Sequence, residues 1–436
     1  MVRSQRGPVQ IGSSILIALI AATFSFGRVL VASPGNLGEL VWAEDGLFAL
    51  CVRKAGGLEC FVDPFAGYLL GLPRLLAMVT ATFPLESWGW ATNAIAAVAW
   101  GLLSGVSAYW LLGSGIRLIP AAVIALLPVV VPLVGLEAVN VIGSVYMPLL
   151  FTTTLALALG WQGRAETATA AVLAFASAIT IPTAGLLILV LAVSTWRGWV
   201  ARQQALIVAA SWTIGMTVQL WVVLNAPDGR NVALIGQSIG FWLTDLPVAL
   251  LTIWPGLFFG STTIFGIFTL PVVSWTGFAV AAGLLVLGVV WARSKQRAIC
   301  AAGLMIATGL AYSFVPTATG YASNRYFVLS VVGVLAGVIL WLDGRFAERR
   351  AWSDVAVVGV FAVAWSAAFA ASPWRATAAP AWSSVLEQVD AQCANDPTAP
   401  ARFTFSPEWP QEGVTELRAP TNQFAPCSAL NRDFAR

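Results

Sequence analysis

The chain has 436 residues, 58% of them hydrophobic and 10% charged, with 23 Lys and Arg against 20 Asp and Glu and a net charge of +3. Together with a mean hydropathy of +0.82, that composition excludes a water-soluble globule, and so small a net charge gives no argument for nucleic acid as a partner. Strand-period alternation is missing, which excludes a β-barrel and leaves an all-α polytopic membrane protein.

In chain order, charge-free segments run over residues 7–27, 87–116, 118–136, 138–163, 167–196, 203–227, 246–292, 298–324, 326–342 and 355–374. Each is near or above the roughly 20 apolar residues that cross a bilayer as helix. The first follows a short basic start, as a secretory signal does. Its length and the lack of a clean small-x-small site before Ser33 point instead to an uncleaved first helix.

Arginine and lysine set the orientation. Arg3 and Arg6, Arg117, Arg164, Arg197 with Arg202, the Arg293, Lys295 and Arg297 cluster and the Arg345, Arg349 and Arg350 cluster alternate with loops poor in positive charge. The positive-inside tendency then puts the N-terminus in the cytoplasm. Residues 167–196 carry Pro182 midway and fit one long helix or two short ones, and residues 246–292 fit one span or two. Two short helices, paired with a single span at about 272–292, keep Arg197 and Arg202 inside and give about 11 spans with the C-terminus outside.

On this map residues 1–371 form the transmembrane domain and residues 372–436 a small extracytoplasmic cap. The outward segments are 33–86, the stretch around 136–147, about 225–271, and the tail. Residues 67–83 are apolar but contain Pro73 and Arg74, which predicts a juxtamembrane helix along the interface. The tail holds eight prolines and predicts a single helix at about 380–394.

Cys51 and Cys60 share the first outer loop, Cys393 and Cys427 share the tail, and Cys300 lies alone in an apolar segment. Two pairs on the oxidising side predict two disulfides. The chain contains no histidine, which removes every imidazole base and every Ser-His or Cys-His nucleophile. A divalent metal would have to bind without histidine, and no CxxC spacing supports one. Any proton transfer falls to carboxylates.

The candidates are Glu44 and Asp45, in the stretch Trp42-Ala43-Glu44-Asp45-Gly46 shortly after the first apolar segment. Transfer of a sugar from a lipid-linked phosphate needs one base for the acceptor hydroxyl and cations for the departing phosphate, but no general acid. The outer face offers Arg74, Glu137, Asn140, Arg230, and the run Tyr321-Ala322-Ser323-Asn324-Arg325-Tyr326, in which Arg325 stands at an outer boundary that disfavours it. Trp42 is placed to stack on a sugar face. Plainer roles stand beside these: Asp45 as a helix cap, Glu137 as a loop tip, Arg325 snorkelling to headgroups, and Arg74 and Arg230, for which headgroup anchoring is the favoured role.

Together the acidic motif in the first outer loop, Glu137 near Asn140 in the second, the pair of short helices broken at Pro182 and the late Asn324-Arg325-Tyr326 resemble the GT-C superfamily of polyprenyl-phosphate-sugar-dependent membrane glycosyltransferases. The resemblance spans most of residues 1–371. It implies that Asp45, with Glu44 as the second candidate, is the catalytic base of an inverting transfer, and that Arg325 contacts the lipid phosphate. It further implies a cell-envelope glycan, lipid or protein as acceptor. The small cysteine-paired tail is similar to those of actinobacterial members. Many members carry a histidine or a larger outer domain, and this chain has neither, which leaves metal use and acceptor open. The rival reading is a transporter or flippase of a lipid-linked or anionic solute, which predicts ionisable residues near the bilayer midplane in broken helices.

Overall fold

The computed structural model describes residues 8–32, 37–65, 67–130, 140–225, 271–318, 328–345, 354–359, 381–405 and 422–430. Helices dominate. After α1 (Pro8–Ala32), three short helices, α2 (Ala43–Ala55), α3 (Gly57–Val62) and α4 (Gly71–Thr80), fill the first loop. Then come α5 (Trp88–Gly113), α6 (Leu118–Val130), α7 (Tyr146–Leu159), α8 (Arg164–Thr180), α9 (Leu187–Trp196) and α10 (Arg202–Asn225). The bundle continues with α11 (Pro271–Ala292), α12 (Arg297–Ala318) and α13 (Val328–Arg345). The tail holds α14 (Trp382–Asn395) and an antiparallel pair, β1 (Pro400–Thr404) with β2 (Asn422–Pro426).

Five stretches among the described residues are long and apolar enough to cross a membrane: Pro8–Leu30, Leu85–Gly113, Ile142–Leu159, Arg202–Asn225 and Val328–Arg345. The chain is thus compatible with a multi-pass membrane protein. Large apolar side chains also face outward from the bundle, among them Leu19, Val98, Leu102, Leu189, Ile214 and Leu224, as lipid-facing helices require.

Small residues let neighbouring helices approach. Gly101 and Gly105 of α5 lie against Ala18 and Ala22 of α1, and Gly309 of α12 lies against Gly333 of α13. At the centre, α7 is buried on every side. Three consecutive threonines, about 100° apart around its axis, therefore each meet a different neighbour. Thr152 bonds Ser107 of α5 (2.9 Å), Thr153 bonds Ser177 of α8 (2.9 Å), and Thr154 bonds Tyr312 of α12 (3.2 Å).

The break at Pro182 produces two short helices. Thr180 closes α8 beside α4, its hydroxyl accepting from the Leu72 amide (3.0 Å), whereas Trp199, just past α9, packs on Gly160. The segment thus rises from Arg164 and returns, leaving Arg164 and Arg197 at one end of the bundle. Arginines at this end cover the carbonyls that helix C-termini leave unpaired. Arg297 donates to the Leu159 and Gly160 carbonyls, and Arg197 to that of Ala292 (3.1 Å). Arg117 pairs with Asp343 (2.6 Å) and Asp354 (2.9 Å) at the same end.

Candidate active site at the disulfide-braced end

The opposite end carries the first loop and the tail. Disulfides join Cys51 to Cys60 and Cys393 to Cys427, the pairing expected from shared segments, and Cys300 is a buried free thiol. Of the helix predicted over residues 67–83 the structure forms the shorter α4, and the predicted tail helix begins at Trp382. The tail joins the loop rather than hanging from it. Trp382 stacks on Trp88 (centroids 6.0 Å apart) and donates its indole N–H to the Leu85 carbonyl (2.7 Å). The Glu39 carboxylate accepts the Ser383 amide (2.6 Å), and Phe405 packs directly on Gly46. Val41, Ala49, Leu50 and Trp88 of the loop region and Val385, Phe403, Phe405 and Cys427 of the tail share one apolar core.

Next to Gly46, Asp45 is 2% exposed. It lies in the first turn of α2, and Trp42 occupies the N-cap position. Its carboxylate instead reaches the second loop and accepts the amides of Ile142 (Oδ2, 3.0 Å) and Gly143 (Oδ1, 2.8 Å). These amides open the 3₁₀ turn Ile142–Ser144, where amides have no partner within the turn and a negative charge is favoured. Asp45 thus holds the first two amides of a turn in another loop. Glu44 packs over Gly143, where a methyl group would sit 3.0 Å from its Cβ.

Asn140 precedes this turn with φ of 58°, the left-handed conformation that asparagine tolerates better than most residues. Its side chain is fixed from both sides. Ser25 of α1 donates to Asn140 Oδ1 (3.1 Å), and Asn140 Nδ2 donates to Asn93 Oδ1 of α5 (3.0 Å). Asn93 in turn donates to the Gly89 (2.7 Å) and Leu40 (3.3 Å) carbonyls. One turn beyond Ser25, buried Arg28 donates to the Val129 carbonyl (3.2 Å). Sequence reading missed Ser25, Arg28 and Asn93. The available signals were a charge ending the first apolar run at the wrong face and an asparagine inside an apolar window.

Arg74 is not a headgroup anchor. It is buried, donates to the Cys60 carbonyl, pairs with Asp63 (3.5 Å), and places its guanidinium 4.8 Å from the Phe48 ring centroid. Burial lowers its pKa, an effect that Asp63 opposes. The apolar face of α4 turns its arginine toward the disulfide loop, which it braces. Trp42 is 3% exposed, so its ring offers no open platform for a sugar. Glu137, Arg230, Tyr321, Asn324, Arg325 and Tyr326 lie outside the described residues.

Of the sequence candidates, Asp45, Glu44 and Asn140 are thus brought together, and Arg74 stands apart as a brace. Among the described residues no three Cys, Asp or Glu side chains converge as a metal site. No family model matches the chain, and no curated protein matches it.

Proposed function

We propose that the protein is a membrane-embedded glycosyltransferase that moves a sugar from a polyprenyl-phosphate donor to an extracytoplasmic acceptor, with Asp45 as general base. The observation carrying this reading is a buried carboxylate held by two amides of the second loop at the end of the bundle opposite Arg117, Arg164, Arg197 and Arg297. That arginine distribution supports a cytoplasmic N-terminus, an extracytoplasmic tail and about 11 spans. In the reaction, Asp45 takes the proton of the acceptor hydroxyl as its oxygen bonds to the anomeric carbon. The bond from that carbon to the donor phosphate breaks with its electron pair leaving on phosphate, and the configuration inverts. Phosphate contact by Arg325 follows from the family resemblance.

The two amide bonds also favour a second reading, in which Asp45 is a staple between loops and takes no proton. Purified protein offered a panel of polyprenyl-phosphate sugars separates the two. Asp45→Asn loses the charge and one of the two amide bonds, so transfer falls roughly a hundredfold in variant protein whose thermal melt shows that it remains folded. Near-normal transfer by the variant assigns Asp45 to the staple, and absence of transfer from every donor by the native protein overturns the enzymatic reading.

A further inference from the structure

Far from Asp45, a groove opens between α9 and α10 near the arginine-bearing end of the bundle. Ile188, Leu191 and Trp196 form one wall, and Leu206, Ala209 and Arg202 the other. Alanines at the α10 wall keep the slot open, and Trp196 and Leu206 are largely exposed at its edges. Arg202 stands at the mouth, exposed and with no hydrogen bond or ion pair to a described residue. Beside it Arg197 lies over the Trp196 ring, 4.6 Å from its centroid.

We infer that this groove holds one anionic phospholipid, its acyl chain along the apolar walls and its phosphate at Arg202. The inference rests on the membrane reading of the bundle and is independent of the glycosyltransferase reading. Charge and shape select the occupant. A slot with apolar walls suits an alkyl chain, and a cation at one end suits an anion attached to that chain. A tryptophan at the same level fits the zone where acyl chain meets headgroup. The arginine-rich end of a membrane bundle faces the cytoplasmic leaflet, which carries the anionic lipids. Free phosphate would meet the cation but make no use of the walls, and a neutral lipid would use the walls but not the cation.

The test is native mass spectrometry of the full chain in mild detergent, titrated with phosphatidylglycerol or phosphatidylcholine of matched chains. One phosphatidylglycerol is retained in preference to phosphatidylcholine, and Arg202→Ala lowers that retention about fivefold, the worth of a single basic residue at an anionic surface. Arg202→Lys keeps most of it, since phosphate accepts a point charge. Ala209→Trp, which fills the slot, lowers retention of both lipids, with unchanged melting of each variant confirming the fold. Equal retention of the two lipids overturns the inference. So does an Arg202→Ala variant that retains phosphatidylglycerol like the native chain, or displacement of the lipid by inorganic phosphate alone.

Discussion

Where α12 meets α13, a methyl group added to Gly333 would lie 2.9 Å from the Cα of Gly309 and equally close to the Met305 carbonyl oxygen. Where the tail meets the first loop, the contact is made by rings: Trp382 with Trp88, Phe403 and Phe405, at centroid distances of 6.0, 6.2 and 5.8 Å. The difference follows from what surrounds each region. Lipid tails are as apolar as leucine, so bundle helices gain little by hiding side chains from them and associate through close backbone approach and polar contacts such as those of Thr152, Thr153 and Thr154. The loop and tail sit at a bundle end, where burying aromatic surface from water is strongly favourable and disulfides restrict the unfolded chain. Gly46 lies where the two regimes meet, with Asp45 as its neighbour.

The sharpest way to break the comparison is to enlarge a bundle glycine. Gly333→Leu forces apart two backbones that have no side chain to yield, and is expected to cost more than about 3 kcal/mol or abolish folding, read as loss of a monodisperse peak in detergent. Mild behaviour of this variant would mean that close approach does not hold the bundle. In the cap, replacing Cys393 and Cys427 by serine opens a bridge that spans 34 residues and costs the cap about 3 kcal/mol. Limited proteolysis should then clip the tail while the bundle melts as before. Joint melting of both regions would show them to be one cooperative unit.

At the junction, Gly46→Ala places a methyl group into the Phe405 ring and against Val41. Overpacking of this kind costs about 2 kcal/mol, loosens the tail and perturbs the neighbouring carboxylate, so proteolytic sensitivity and transfer rate should change together. The double variant with Phe405→Leu should recover part of both. Smallest is Thr153→Val in α7, which removes the hydroxyl contacts with Ser177 and the Leu173 carbonyl of α8 and should lower stability by about 0.6 kcal/mol in a thermal melt. A much larger loss would make the threonine contacts, rather than the glycines, the main adhesive of the bundle.

Asp45 and Asn140 stood out in the sequence as polar residues of the outer loops, and the structure unites them through contacts that no local pattern contains. Asp45 and the Ile142 amide are 97 residues apart, and Asn140 and Ser25 are 115 apart. The inward turn of Arg74 was equally hidden, because an arginine in an apolar helix fits both a headgroup anchor and a buried brace, and only the neighbouring Cys60 carbonyl and Asp63 decide.

What the sequence determined by itself are the properties that act locally. Hydropathy over about 20 residues marks helices able to cross a bilayer, arginine alternation marks which helix ends share a face, Pro182 breaks a helix where it stands, and cysteines in one loop pair with each other. The tertiary structure alone decided what meets across the chain. It seats Phe405 on Gly46, joins Trp382 to Leu85 across 297 residues, and turns the Asp45 carboxylate to the second loop. Such contacts depend on how whole surfaces fit together and on which buried amides lack partners, and both exist only after the helices have packed.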